Sequence, residues 1–262
     1  MKTVQDYLNS GACDIAPLLS LVLGKSNTEL YTQSDYVLND KQQQKLSNFI
    51  QQREQGMPFA YLSGNKGFYH LDFKVTKDTL IPRPETELLI DIALNLFPDK
   101  EEPCHILDLG TGSGIIAVTL ADINQRWKVS ATDFSQAALD VAKTNATTDI
   151  SFSQGSWFDA VPNQTYDLVI SNPPYIEEND TYLDDLTYEP QTALVSGVDG
   201  LDDIRIIINN APEYINKDGY LLLEHGFDQQ EKIVSLLNEK FHNIKTFKDY
   251  NNNSRAVLAQ IK

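Results

Sequence analysis

Residues 106–118 read Ile106-Leu107-Asp108-Leu109-Gly110-Thr111-Gly112-Ser113-Gly114-Ile115-Ile116-Ala117-Val118. A short apolar run, three glycines at alternate positions and a second apolar run predict a buried strand, a tight turn and a helix in immediate succession. Glycines at such a turn let the polar groups of a ligand approach the backbone, and the start of the helix offers unpaired N–H groups. A nucleotide-like ligand suits that arrangement. The spacing lacks a third glycine three residues after the second, which dinucleotide sites carry, so hydride transfer loses its sequence support.

Towards the C-terminus the same alternation continues. A strand over residues 127–132 ends on Asp133, nineteen residues past Gly114. An acidic residue at that strand tip either accepts both hydroxyls of a ribose or caps the helix that begins near Ser135. A third strand, 149–153, leads to Trp157-Phe158, an aromatic pair that flanks an adenine ring or simply joins the core. The apolar run Tyr166-Asp167-Leu168-Val169-Ile170 predicts a strand over 166–171 that opens onto Asn172-Pro173-Pro174-Tyr175. Two successive prolines fix φ and remove two N–H donors, leaving a stiff segment whose backbone offers only acceptors there. Asn172 adds a side-chain carbonyl and amide, and Tyr175 a flat apolar face. The segment is thus either a clamp for a planar NH2 group or a proline-rich turn that ends a strand.

The remaining periodicity predicts a strand at 219–224 and helices at 113–124, 135–145, 201–213 and 227–240, the pattern of a doubly wound, mostly parallel sheet. Two alternating runs, 243–250 and 255–261, joined by Asn251-Asn252-Asn253, predict an antiparallel hairpin at the sheet edge. Upstream, Pro84 with Glu85 and Glu87 marks the start of a helix that reaches Pro98. Residues 1–65 read as a small helical domain with helices at 14–23 and 40–55, and 66–83 as a β-hairpin linker, leaving 84–262 as the ligand-binding domain.

Lys+Arg 21 against Asp+Glu 37 gives a net charge of −16, which repels phosphate backbones, so direct nucleic-acid binding is not expected. Cys13 and Cys104 stand far apart, and His70, His105, His225 and His242 show no ligand spacing, so no disulfide and no metal site are expected. No signal peptide and no apolar run near the roughly 18 residues of a membrane span are present, so the expected setting is the cytoplasm.

The glycine loop, Asp133 and Asn172-Pro173-Pro174-Tyr175 together resemble the class I S-adenosylmethionine-dependent methyltransferases that act on amide or aromatic NH2 nitrogens. With Ile81-Pro82-Arg83-Pro84-Glu85-Thr86-Glu87, Pro58-Phe59-Ala60-Tyr61-Leu62-Ser63-Gly64, Tyr188-Glu189-Pro190 and Leu222-Leu223-Glu224-His225-Gly226, the chain resembles the peptide chain release factor glutamine N5-methyltransferases from end to end.

That resemblance implies a Rossmann-like methyltransferase fold and methylation of the glutamine in a release-factor Gly-Gly-Gln motif, with S-adenosylhomocysteine as product. It implies that Gly110, Thr111, Gly112, Ser113 and Gly114 border the methionine and ribose, that Asp133 holds the ribose and that Trp157 packs on adenine. Asn172, Pro173, Pro174 and Tyr175 would form the glutamine pocket, with Asn172 also bordering the cofactor. Catalysis would fall to Asn172, Pro173 and Tyr175. The helical residues 1–65 would dock the release factor, and the chain would act as a monomer. Relatives often carry an acidic residue just before the tryptophan, where this chain has Ser156, so the adenine carboxylate is absent or comes from Asp159. The alternatives are a DNA adenine N6-methyltransferase with a similar clamp and a non-catalytic module that kept the fold.

Overall fold

The computed structural model describes residues 2–99 and 101–262. They fall into two compact units, one ending at Gly64 and one running from Asn65 to Lys262. The first contains α1 (Val4–Leu8), α2 (Ile15–Leu23), α3 (Asn27–Thr32), α4 (Asp40–Glu54) and α5 (Phe59–Ser63). Helices this short do not persist on propensity alone. Capping boxes at Thr3/Asp6, Ser26/Glu29 and Asn39/Gln42 satisfy the first N–H groups of α1, α3 and α4. Val4, Leu18, Leu19, Leu30, Leu38 and Leu46 form a buried core of their own.

The second unit opens with an antiparallel hairpin, β1 (Asn65–Phe68) and β2 (Leu71–Lys74), then α6 (Glu87–Leu96). Its body is a seven-stranded sheet built from β3 (His105–Leu109), β4 (Lys128–Asp133), β5 (Ser151–Gln154), β6 (Tyr166–Ser171), β7 (Ile215–Glu224), β8 (Phe241–Lys248) and β9 (Ser254–Ile261). Their order across the sheet is β5-β4-β3-β6-β7-β9-β8. The first five are parallel and the last two antiparallel to their neighbours. The predicted hairpin is therefore present with its second arm inside the sheet and its first at the edge.

Four further helices cover the two faces: α7 (Ile115–Ile123), α8 (Gln136–Asn145), α9 (Asp202–Asn210) and α10 (Gln230–Leu237). Ile106, Leu168, Ile170 and Leu222 join one core with α6 and α7, while Leu107, Leu109, Val169, Leu221 and Leu223 join the other with α9 and α10. Alternate residues of each central strand thus enter opposite layers, which is why these strands are apolar on both sides.

Several boundaries differ from the periodicity: α10 spans Gln230–Leu237 where 227–240 is expected, β5 Ser151–Gln154 where 149–153 is, and β8 Phe241–Lys248 where 243–250 is, and three others have a visible local cause. Helix α7 begins at Ile115 rather than 113, because Gly114 at φ 88° lies outside the helix as its cap. The helix expected over 201–213 stops at Asn210, where Pro212 enters a separate turn of 3-10 helix at Ala211–Glu213. Strand β7 begins at Ile215, four residues earlier than expected, through an irregular register against Tyr166 and Leu168 that places Asp218 at φ 66°. Because β3, β4, β6 and β7 run parallel, their carboxyl ends bring Gly110, Asp133, Asn172 and Glu224 to one edge of the sheet.

Candidate active site

The glycine loop is held from beneath by Asp108. Its Oδ2 accepts the Thr111 hydroxyl at 2.6 Å and the Ala117 N–H at 3.1 Å, so one buried carboxylate ties strand, loop and helix together. Burial pushes this carboxyl up to about 7, with the Thr111 and Ala117 bonds opposing the shift, and Oδ1 has no hydrogen-bond partner among the described residues. A folded-state value above the unfolded one means stability that is full at low pH and is lost as pH rises through about 7. Asp108→Asn is therefore expected to flatten the fall in urea-unfolding free energy between about pH 4 and 7, the interval between the ordinary and the raised value. Parallel curves for variant and native protein would contradict this.

Gly110, Thr111, Gly112 and Ser113 line a cavity of about 390 Å³. Gly114 does not line it. Its requirement is packing: at φ 88° a Cβ there would lie 3.1 Å from both Ala142 and Val118. Gly110 is needed for a close approach, since its Cβ would come within 3.3 Å of the Trp157 ring.

Asp133 stands on the cavity wall, its Oδ2 accepting the Gly112 N–H and its Oδ1 the Ser135 N–H, each at 2.8 Å. The helix cap is Ser135, whose hydroxyl accepts the Ala138 N–H, so Asp133 is not the residue that caps α8. Burial raises its carboxyl above the ordinary range, with the two N–H bonds pulling it back. Each oxygen retains acceptor capacity for a hydroxyl.

Of the aromatic pair only Trp157 reaches the cavity. Phe158 is buried and stacks on Tyr214 with ring centroids 4.4 Å apart. Trp157 sits at φ 47°, an unusual backbone conformation for a bulky residue, and its Nε1 donates to Asp203 Oδ1 at 3.2 Å. The carboxylate beside the tryptophan is thus Asp203, which lines the cavity, whereas Asp159 is exposed and does not. Phe134, directly after Asp133, also lines the cavity with most of its ring in solvent.

A second cavity of about 550 Å³ is lined by Asn172, Pro173, Tyr175, Arg83, Glu224 and Arg255, among others. Asn172 lines both cavities, while Pro174 faces the first. The Asn172 amide donates through Nδ2 to Thr86 Oγ1 at 3.0 Å, and Oδ1 accepts from no group among the described residues. The Tyr175 hydroxyl donates to Glu224 Oε1 at 3.2 Å, its N–H donates to Leu194 O, and its carbonyl accepts from Gln229 Nε2 at 2.9 Å. The Tyr175 carbonyl also lies 2.3 Å from where a Cβ at Gly200 would be. Residues 172–175 are therefore braced by residues that lie far along the chain.

Periodicity assigns no role to Arg83, Glu189 or His225, and the structure shows the contacts they make. Glu189 is buried and accepts from the Ile81 N–H at 2.9 Å and from Arg83 Nη2 at 2.5 Å, strapping residues 81–83 across the site. His225 is buried with Nδ1 at 2.8 Å from Gly226 O and with no well-formed hydrogen bond at Nε2 among the described residues, and burial lowers its basicity, against the pull of the Gly226 and Ala256 backbone.

The chain matches the family described as the methyltransferase small domain over residues 86–254 and the PrmC N-terminal domain over residues 5–64. It is 43% identical over 252 residues to the release factor glutamine methyltransferase of Coxiella burnetii, covering 94% of this chain and 91% of that protein. It is 42% identical over 254 residues to the protein of that name in Yersinia pestis, again covering 94% and 91%. The chain belongs to the release factor glutamine methyltransferase family. A methyltransferase from Pyrococcus furiosus shares the fold at a TM-score of 0.56 and 19% identity, over 82% of this chain and 98% of that one. Within this family member the residues that periodicity missed are Thr86, Phe134, Asp203 and Glu224, each brought to the site by an element distant in sequence from Asn172. Phe134 carried a local signal as an aromatic one residue past an acidic strand tip, and Thr86 and Glu224 stood inside motifs that carry the resemblance.

Proposed function

We propose that the chain transfers a methyl group from S-adenosylmethionine to the side-chain amide nitrogen of a glutamine in a peptide chain release factor, the glutamine of a Gly-Gly-Gln motif. The observation that carries this reading is Asn172, shared by two adjoining cavities with its amide tethered and its carbonyl free. The first cavity fits the cofactor. Gly110 leaves room for the Trp157 ring to pack on the loop, Gly110 to Ser113 form the rim, and Asp133 presents a carboxylate for two hydroxyls. When bound there, S-adenosylmethionine supplies a methyl group carried on a positively charged sulfur.

A carboxamide nitrogen is a weak nucleophile because its lone pair is delocalised, so the protein must chiefly position it. Asn172 Oδ1 and the Pro173 carbonyl each accept one N–H of the substrate amide, and the Tyr175 ring confines its plane. As the nitrogen gains the methyl carbon it becomes cationic and its N–H groups bind those oxygens more strongly than before, which is differential stabilisation. The surplus proton then leaves to water, since a protonated amide nitrogen is a strong acid. Family membership favours this substrate over duplex DNA, which the net charge of −16 also opposes. Mass spectrometry of release-factor peptides after incubation with trideuteromethyl cofactor is expected to show one labelled methyl on the glutamine. Label elsewhere, or none, would contradict it.

The helical unit up to Gly64, with its own core, is assigned to docking the release factor. Deleting residues 1–64 is expected to lower kcat/KM on an intact release factor by at least ~10-fold more than on a short glutamine peptide, as loss of a remote contact surface would. Equal losses would mark the unit as purely structural.

A further inference from the structure

Glu224 lies at the carboxyl end of β7, buried, on the wall of the cavity that Asn172 and Tyr175 share. Its Oε1 accepts the Tyr175 hydroxyl at 3.2 Å. The Thr86 hydroxyl interacts with the same carboxylate and favours its charged form, although Oε2 has no well-formed hydrogen bond. Thr86 Oγ1 in turn accepts from Asn172 Nδ2 at 3.0 Å. Two hydrogen bonds, Tyr175 to Glu224 and Asn172 to Thr86, together with the influence of the Thr86 hydroxyl on the Glu224 carboxylate, connect that buried group with Asn172.

A hydroxyl has one proton, and that decides the direction of the chain. Facing an ionised Glu224, which only accepts, Thr86 gives its proton to the carboxylate. Its oxygen is then left to accept from Asn172, whose NH2 faces Thr86 and whose carbonyl faces the cavity. Facing a neutral carboxylic acid or an amide at position 224, Thr86 can accept instead and turn its proton towards Asn172. The Asn172 amide then gains by rotating half a turn, which presents NH2 to a substrate that itself presents NH2. We infer that ionised Glu224 is a positioning residue that acts through Thr86 to hold the Asn172 carbonyl towards the substrate amide.

This rests on the clamp reading of Asn172 given above. The groups facing Glu224 are Tyr175 after β6, Glu85 and Thr86 before α6, and Arg255 on β9, itself paired with Asp249 at 3.3 Å; Arg83 acts on Tyr175. Burial pushes the Glu224 carboxyl up to about 7, Thr86, Arg255 and Tyr175 oppose the rise, and Glu85 adds to it. Ionisation is required, so turnover is present above that value and lost as pH falls through it.

The test compares native protein, Glu224→Gln, Thr86→Val and the double variant on a release factor with S-adenosylmethionine. Single-turnover rates are measured from pH 5.5 to 9, and cofactor affinity by calorimetry. Glu224→Gln is expected to lower the rate ~100-fold and Thr86→Val ~10-fold, with cofactor affinity within threefold. The double variant should be no slower than Glu224→Gln, because the carboxylate acts through the hydroxyl. The acidic limb near pH 7 should vanish in each variant. Multiplicative losses, or an acidic limb that survives in Thr86→Val, would overturn the inference, and the latter decides it even if Glu224→Gln fails to fold. If Asn172→Ala retains full activity, the clamp itself fails. If Asn172→Ala is inactive while the Glu224 and Thr86 variants match native rates, only the positioning role fails.

Discussion

Replacing Asn172 by Ala is expected to lower kcat for release-factor methylation by ~10³-fold while cofactor affinity changes no more than several-fold. The magnitude follows from what the side chain does and when it does it. A hydrogen bond to a charged group contributes about 1.5–3 kcal/mol, and this one reaches its full strength only as the amide nitrogen becomes cationic, so the loss falls on kcat. A further factor of ten or more comes from orientation, because an amide held by Pro173 alone rotates away from the line of attack. Asn172 is only half-buried and its one protein partner is Thr86, so the substitution leaves the packing of β6 intact. Rapid-quench measurement at saturating release factor separates the chemical step from binding. A rate within tenfold of native would mean that the substrate nitrogen is held by other groups.

The fold was legible where the chain repeats a short-range pattern and less so where distant segments set the boundary. Ile106 to Leu109 and Leu168 to Ile170 alternate between two apolar layers, so composition alone marks them as buried strands. The early start of β7 was not legible, because Asn216, Lys217 and Asp218 are polar and lie in the register break with β6, between the pairs Tyr166–Ile215 and Leu168–Tyr220. The insertion of β9 between β7 and β8 is also silent in the local pattern, since a hairpin reads the same whichever arm lies inside.

At the site the division is similar. Gly110, Gly112, Asp133, Trp157 and Asn172 sit at strand ends, where a ligand-facing position follows from the order of elements, and the structure brings all of them to the cavities. Gly114 shares the glycine pattern but serves the contact between α7 and α8, a distinction that depends on Ala142, a residue on another helix. Thr86 and Glu224 were unreadable for the same reason. Each stands inside a motif that carries the resemblance, Ile81 to Glu87 and Leu222 to Gly226, yet nothing local says what it touches: Thr86 accepts from Asn172, and Glu224 from Tyr175, only when β6, β7 and the segment before α6 meet. Asp203 displaces Asp159 as the carboxylate beside Trp157 because α9 returns to the cavity, which the local run around Ser156 does not reveal.

Replacing Asp133 by Ala is expected to weaken S-adenosylmethionine binding by ~10²-fold or more, with turnover at saturating cofactor reduced far less than by Asn172→Ala. Two charge-assisted hydrogen bonds to vicinal hydroxyls contribute about 1.5–3 kcal/mol each before the cost of desolvating the carboxylate, and burial has already imposed part of that cost in the free protein. The same carboxylate holds Gly112 and Ser135 by their N–H groups, so its loss also loosens the glycine rim. Asp133→Asn separates the two contributions. An amide there keeps one acceptor oxygen for a backbone N–H or a hydroxyl but loses the charge, so its affinity should fall between native and alanine variants, with thermal stability closer to native. Isothermal titration with S-adenosylmethionine and with S-adenosylhomocysteine should show equal losses, because the ribose is common to both while the methyl is not. Native affinity in the alanine variant would confine Asp133 to bracing the loop. A loss for the methylated cofactor alone would place the carboxylate near the sulfur rather than the sugar.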